Sequence, residues 1–597
     1  MLALFFSSYV TFALSADSPN QQSRLIQDLA QQSQWKNLLH APQNSPHIAD
    51  SKFLLSAQSY SAEKELKATL DYFASNPKQA MCRFPARYLF ISRHIDLPID
   101  ISNLEEQCPQ LAKFISYVPF DQLSLIYASE ELASATSMMG HIFLRAHGKN
   151  FRGNQVEHSI AFFTEINTFN PATLIYTGTI SGMNGLLLVK PYATDAQRYS
   201  KGEGRNLWQY NLSISPETRQ LIQFHLWELK QANITYLFQS YNCATLTLEL
   251  LALANPDILD SQKLFVSPID VVKAIKNNHL INGESVLLAS PWKLNMLQQQ
   301  LDPKEVSLAE RMILDNKLDL ASLSMHQKSP LLAEYLETLI QQPHIQNQLS
   351  QSLARQLTRW ITDHKSSELS IDLSQYKNPA ATKQDAQWGI RTLIESGSSN
   401  AISFNFVPAS HQLYGDNSQY FSESSLKIGE ITINAFDDGQ VKLDKLSLYD
   451  VEAYTPTSLG LPVLSGSFYI GYHHIQTSQK RKGTFEISAS AGKTYQLTKD
   501  ISFYSLLGAG IGIHKNGTYG YLEPKIGTII NLVSNSKLIV EHNLAYNRFY
   551  KKETQHHSSA TLSWYGATEK TFYLSLDSFY VNNHRTNQLL LGIDFHF

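Results

Sequence analysis

Tyr241-Asn242-Cys243-Ala244-Thr245-Leu246 opens a stretch that continues as Thr247-Leu-Glu-Leu-Leu-Ala-Leu-Ala254 and is closed by Asn255-Pro256. An apolar run stopped by proline predicts a helix. A cysteine just inside its start faces the positive end of the backbone dipoles, where a thiol ionises more readily. About a hundred residues upstream, Ser137-Met-Met-Gly-His141 leads into Ile142-Phe-Leu144, and Glu157-His158-Ser-Ile160 leads into Ala161-Phe-Phe163. Each imidazole therefore stands at or near the head of a strand-like run. A thiol attacking an acyl carbon needs an imidazole to take its proton, and the imidazole needs a third polar group to hold its tautomer. These stretches nominate Cys243 as nucleophile, His141 as base and His158 as orienter. Spacing alone is a weak signal in a chain with 20 histidines. The competing reading is an inert cysteine on the core face of its helix.

Cysteine usage favours the first reading. Leu2 to Ala16 is a short apolar stretch ending in small residues before the polar Asp17-Ser-Pro-Asn20, the pattern of a secretory signal peptide over residues 1–16. It is shorter than the roughly 20 residues a membrane-spanning helix requires. An exported chain meets an oxidising compartment, where cysteines pair. Of the 3 cysteines, Cys82 and Cys108 lie close in sequence and form the expected disulfide, which leaves Cys243 free.

At 597 residues the chain is too long for one core and divides into several domains. Its formal charge of -3, with no basic block, argues against nucleic acid as a partner. No histidine pair such as His326 and His344 has metal-ligand spacing, and no cofactor motif is present, so neither metal nor cofactor is expected.

The pattern is helical over residues 17–119, broken at Cys82-Arg-Phe-Pro85. Residues 120–297 carry short apolar runs that fit an antiparallel sheet: Leu123–Tyr127, His141–Leu144, His158–Phe163, Thr173–Tyr176 and Leu186–Val189. Helices from Ser215 to Leu229, with Ser215 as cap and Pro216 in the first turn, and from Cys243 to Ala254 cover it. Residues 298–395 form a helical connector with amphipathic spacing.

Residues 396–597 alternate. In the last segment Leu589, Leu591, Ile593, Phe595 and Phe597 face one way, and Leu590, Gly592, Asp594 and His596 the other. Aromatic residues near strand ends and short turns such as Asp437-Asp-Gly439 and Lys515-Asn-Gly517 predict an outer-membrane-type barrel of about 10 to 14 strands. A soluble β-sandwich gives the same alternation, but its length after an exported domain favours the barrel.

The ordered set Ser137 to Arg145 (SMMGHIFLR), His158-Ser-Ile-Ala161, Pro191-Tyr192, Gly204 to Tyr210, His225 to Leu229 and Asn242-Cys243 resembles the Lnb N-terminal periplasmic domain family, long a domain of unknown function. That family is similar to permuted papain-like folds of the NlpC and lecithin:retinol acyltransferase type. The resemblance implies a catalytic set of Cys243, His141 and His158, with Asn242, Arg205 and Arg145 in supporting places. It departs at Ala244, where serine often stands, and at Ser181-Gly-Met-Asn-Gly185, a variant of a glycine-aromatic loop. The fold expected is multidomain, α+β plus all-β: N-terminal helical domain, permuted papain-like thiol domain, helical connector and antiparallel β-barrel. The implied function is a thiol acyltransferase or acyl hydrolase acting through a cysteine thioester on phospholipid or lipoprotein. The implied place is the outer membrane of a Gram-negative bacterium, with the thiol domain facing the periplasm. A peptidoglycan amidase or endopeptidase, and a non-catalytic envelope assembly or binding protein, are the alternatives.

Overall fold

The computed structural model describes residues 19–597 apart from 98–102, 130–138, 167, 169, 262–264, 320–321, 324–328, 367–370, 372, 374–375, 397–398, 421, 478–480, 534, 549–552 and 567. The expected signal peptide, Ser137, Met138 and His326 lie outside the described residues. Contacts divide the chain into two units, one over residues 1–129 and 139–287 and the other centred on residues 288–597.

The first unit begins with helices α1 (Pro19–Gln31), α2 (Ser33–Leu38), α3 (Ala62–Ser75), α4 (Pro77–Arg83), α5 (Pro85–Ile91), α6 (Leu104–Gln107) and α7 (Pro109–Tyr117). Several start on a proline, whose missing N–H costs nothing in a first turn. Trp35, Phe53, Phe73, Phe84 and Phe90 form their buried core. Cys82 and Cys108 are bridged, fastening α4 to the start of α7 as expected.

A seven-stranded sheet follows: β1 (Gln122–Ala128), β2 (His141–Lys149), β3 (Gln155–Thr164), β4 (Met183–Pro191), β5 (Leu207–Leu212), β6 (Ile234–Tyr236) and β7 (Ile281–Leu287). Its order is β6-β4-β3-β2-β1-β5-β7. The neighbours pair antiparallel. Interspersed are α8 (Pro171–Tyr176), α9 (Tyr192–Gln197), α10 (Pro216–Leu229), α11 (Cys243–Leu251) and α12 (Pro268–Asn277). Ser215 caps α10 by accepting the Thr218 amide hydrogen. The strand expected at Thr173–Tyr176 is instead helix α8, in which the Leu174 amide donates to the Asn170 carbonyl at 3.0 Å.

In the second unit, helices Ser290–Gln300, Pro303–Leu314, Pro330–Ile340 and Gln351–His364 pack Leu297, Leu336 and Leu357 into a core of their own. The barrel begins earlier than the expected boundary at 396, because β8 already spans Gln387–Glu395 and pairs with the last strand, β20 (His584–His596). Between them run β9 (Ala401–Val407), the short β10 (Ala409–His411), and β11 (Glu423–Phe436), β12 (Val441–Tyr454), β13 (Ser465–Ile475), β14 (Lys482–Thr498), β15 (Ile501–His514), β16 (Gly517–Leu532), β17 (Ser536–Arg548), β18 (Glu553–Trp564) and β19 (Lys570–Val581). Because β9 pairs with both β8 and β11, β8, β9 and β11 to β20 close into an antiparallel barrel of twelve strands.

Its outward positions are apolar: Ile402, Leu507, Ile511 and Leu591 are each at least 60% exposed. Its inward positions carry ion pairs, among them Lys445 with Glu430 at 2.8 Å, Lys525 with Glu452 at 3.2 Å and Arg548 with Glu486 at 2.7 Å. The segment around Leu413-Tyr414 turns into the lumen, where Lys537 Nζ donates to the Leu413 and Gly415 carbonyls and Tyr414 donates to Asp594. Among the described residues no helix is long and apolar enough to cross a membrane. The strands supply the apolar surface.

Candidate functional site

Asn242 is the N-cap of α11. Its Oδ1 accepts the Ala244 and Thr245 amides at 2.8 and 3.1 Å, while its Nδ2 donates to the Phe238 and Val266 carbonyls at 2.9 and 3.1 Å. Its supporting place is thus structural: it fixes the turn that delivers Cys243. Cys243 is free and buried.

The strand pair beneath the thiol is splayed. β2 pairs with β1 from His141 onward, but with β3 only from Leu144. At this open end the Ile142 amide and the Tyr236 hydroxyl are among the polar groups that act on the Cys243 thiol. Burial pushes the thiol up from its ordinary range. The Ile142 amide, Tyr236 and the amides of Ala244 and Cys243 draw it back only in part. The easy ionisation expected from the helix start is therefore outweighed in the resting site by desolvation.

His141 follows Gly140, whose φ of +82° favours glycine; a Cβ there would lie 2.6 Å from the Tyr127 ring. The pleat turns the two histidines to opposite faces. Residues directly opposed across a ladder share a face, and Ala146 opposes His158 while Arg145 opposes Ser159. His158 therefore lies on the even-numbered face of β2, with Ile142 and Leu144, and His141 on the odd one. His141 contacts Phe143 and Tyr199 on that face, at ring separations of 6.0 and 6.1 Å. Burial first, then the charges of Arg205, Arg198 and Lys190, lower its pKa to about 3. It is neutral at physiological pH and, as it rests, a weak proton acceptor.

His158 is buried 4.4 Å from the Tyr117 ring, its Nδ1 has no hydrogen-bond partner among the described residues, and burial lowers its pKa. It shares the thiol's face, which Phe162 marks by packing on Tyr236 and Tyr241 at 5.2 and 6.0 Å. It stands four residues along β3 from Phe162, about 13 Å at strand rise. The structure brings Cys243 to the head of His141's strand but joins neither imidazole to the thiol, and it separates His158 from His141. The orienter role assigned to His158 has no support in this geometry, because the β2–β3 register puts the rings on opposite sides of the sheet.

Arg205 ties the end of β1 to its own loop, donating to the Ser129 and Ala128 carbonyls at 2.5 and 2.9 Å and to Glu203 at 2.9 Å, with its guanidinium over Tyr199. Arg145 lies on the His141 face, paired with Glu157 at 2.6 Å and stacked over Tyr192. Tyr236 and the Ile142 amide, which act on the thiol's ionisation, carry no sequence signal. Tyr236 is one aromatic residue among 29 tyrosines and reaches the thiol through the β4–β6 pairing. Among the described residues no group of His, Cys, Asp and Glu is arranged to hold a metal ion.

Residues 110–278 match the Lnb N-terminal periplasmic domain; residues 27–94 and 376–596 match two domains of unknown function, DUF7843 and DUF7840. No curated protein matches the chain. Solved structures similar to the barrel include the KdgM porin (9% identity, 35% of this chain and 99% of that one, TM-score 0.23). The NanC porin (12%, 35% and 100%, TM-score 0.24) and the anion-selective porin from Comamonas acidovorans (8%, 36% and 98%, TM-score 0.19) are also similar. The closed barrel with its apolar exterior is of the outer-membrane type, and the domain matched at residues 110–278 is periplasmic.

Proposed function

Because residues 110–278 form an Lnb N-terminal periplasmic domain on a chain that ends in an outer-membrane-type barrel, we propose that the protein is a cysteine-dependent acyltransferase or acyl hydrolase acting on membrane lipid or lipoprotein in the periplasm. The observation that carries this reading is the Cys243 sulfur: free while the other two cysteines are bridged, at the head of a capped helix, and influenced by the Ile142 amide and the Tyr236 hydroxyl at the open end of β2 and β3.

In this reading the Cys243 thiolate attacks an ester carbonyl, a tetrahedral oxyanion forms and collapses, and the carbon–oxygen bond to the lysolipid breaks. His141 receives the thiol proton and passes it to the departing alkoxide. An amine or water then attacks the thioester, its proton goes to His141, and the thiolate is released. His141 must turn from its resting face to do this, and its pKa must rise.

The test is acyl-enzyme trapping on the full-length chain in detergent micelles, with phospholipid donors and intact-mass detection. Wild type is expected to gain one acyl group on Cys243, and Cys243→Ser none, with unchanged thermal melting. Turnover by Cys243→Ala, or a wild type that no phospholipid acylates, would overturn the proposal.

A further inference from the structure

Behind the thiol helix lies a buried chain of ionisable groups that the acyl-transfer scheme leaves unused. Glu249, on α11 and buried, receives His40 Nδ1 on one carboxylate oxygen and His47 Nδ1 on the other, both at 2.5 Å. The Tyr241 hydroxyl donates to the same carboxylate at 3.1 Å and lies 2.9 Å from His40 Nδ1. Beyond it, His40 Nε2 meets His225 Nε2 at 2.9 Å, so one ring donates and the other accepts. His225 Nδ1 lies 3.5 Å from Glu228, which accepts the Ala86 and Arg87 amides, and Arg87 pairs with Glu65 at 2.6 Å. The helical segment grips α11 a second time, where Asn37 Nδ2 donates to the Ala252 carbonyl at its C-terminal end.

Burying a carboxylate costs several kcal/mol unless charged donors satisfy it, so this arrangement does more than fill space. One end of it, Tyr241, leads to the thiol by two routes. Tyr241 precedes Cys243 by two residues and is bridged through its backbone to Leu237. Its ring contacts Phe162, which contacts Tyr236, whose hydroxyl acts on the thiol's ionisation. Displacing Glu249 therefore displaces both the turn that presents Cys243 and the ring that packs beneath Tyr236 through Phe162.

We propose that His40 and His47 of the N-terminal helical domain, acting through Glu249 and Tyr241, are positioning residues for the Cys243 thiol. The helical domain is then part of the working site, and the thiol is competent only with that domain docked on α11. The inference rests on the reading of Cys243 as nucleophile.

The groups that face Glu249 are His40 and His47 from the segment after α2 and Tyr241 from the turn before α11. His225 and Glu228 on α10, Arg87 on α5 and Glu65 on α3 stand behind them. Among these, His47 is the partly exposed member through which solvent pH acts.

The test uses full-length protein in micelles and the rate at which iodoacetamide alkylates Cys243, read by intact mass from pH 5 to 10. Cys82 and Cys108 are bridged and stay silent. Glu249→Gln is expected to raise the alkylation midpoint by about one pH unit and to lower kcat about tenfold at unchanged KM. His47→Gln is expected to do the same to a smaller extent, and His47→Arg, which keeps a cation, to restore the wild-type midpoint. Folded variants whose alkylation profiles overlay wild type would overturn the proposal, even if their melting temperatures fall. If Glu249→Gln does not fold, the pair at His47 decides. Alkylation needs no acyl donor, so a wild type that transfers no acyl group would refute the proposed function and leave this result readable.

Discussion

The chain contains two antiparallel sheets built on opposite rules. In the thiol domain, β1 and β2 bury apolar side chains on both faces: Leu125 and Ile142 on one, Ile126 and Phe143 on the other. In the barrel, Leu507, Ile511 and Ile513 of β15 point outward and are more than half exposed, while Tyr504 points inward and bonds Glu541 at 2.7 Å. The first pattern hides carbon from water. The second, which would be a liability in water, hides hydrogen-bonding groups from lipid. The same period of two thus encodes two solvents, and the polarity of the inward row tells them apart.

The largest effect that would break this contrast comes from the inward row. Arg548 pairs with Glu486 at 2.7 Å and Glu523 at 3.4 Å inside the lumen. Arg548→Met leaves those carboxylates without their cation and should cost about 3–5 kcal/mol, read as a lower urea midpoint for loss of the heat-modifiable folded band on gels. An unchanged midpoint would mean that the lumen is wet enough to solvate the carboxylates, as in an open pore.

A matched pair sharpens it. Ile126, in the thiol-domain core, is fully buried, and Ile126→Ala should cost about 2–5 kcal/mol. Ile511, 65% exposed on the barrel exterior, loses few protein contacts on truncation. In micelles Ile511→Ala should move stability by under about 1 kcal/mol. Equal losses at the two sites would mean that the barrel's outer face is covered by protein instead of lipid.

The legibility of these features follows the range of the interactions. The barrel could be read because alternation repeats locally: Leu591 faces out and Asp594 in, as the last nine residues indicate. The helix behind Cys243 could be read because its cap, Asn242, is adjacent to it. The pairing of Cys82 with Cys108 followed from their proximity and the compartment. The facing of His141 and His158 could not be read, because it depends on the β2–β3 register. The turn over residues 150–154, with Gly153 at φ +77°, sets that register, and a shift of one residue reverses it. Helix α8 hid within an apolar run too short to carry a period. The cluster on Glu249 was invisible because His40 lies 209 residues away in sequence, and no spacing rule links residues that only the packed fold brings together.

The smallest expected effect concerns the ionic contact in the thiol unit, and its sign can be worked out. Burial lowers the His47 imidazole, but the hydrogen bond and charge of Glu249 outweigh it and hold the pKa above its ordinary value. A group whose folded pKa is raised contributes stability that is fully present below its unfolded pKa, about 6.5, and lost as pH rises through the folded value. Burial raises the Glu249 carboxyl, yet the hydrogen bonds and charges of His40 and His47 bring it down to about 2. Its contribution is present above its unfolded value, about 4.3, and is lost only as pH falls toward 2. The contact should therefore be strongest between about pH 4.5 and 6.5 and weaken on the alkaline side. Glu228, pushed up to about 7 by burial despite Arg87 and two backbone amides, acts in the same direction as pH rises to 7. The comparison of wild type with His47→Gln removes its effect. The melting temperature of the thiol unit should fall by a few degrees more in wild type than in His47→Gln between pH 6 and 9. Parallel melting curves for the two proteins across that range would show that His47 bears no charge on Glu249, and that the carboxylate is held by His40 and Tyr241 alone.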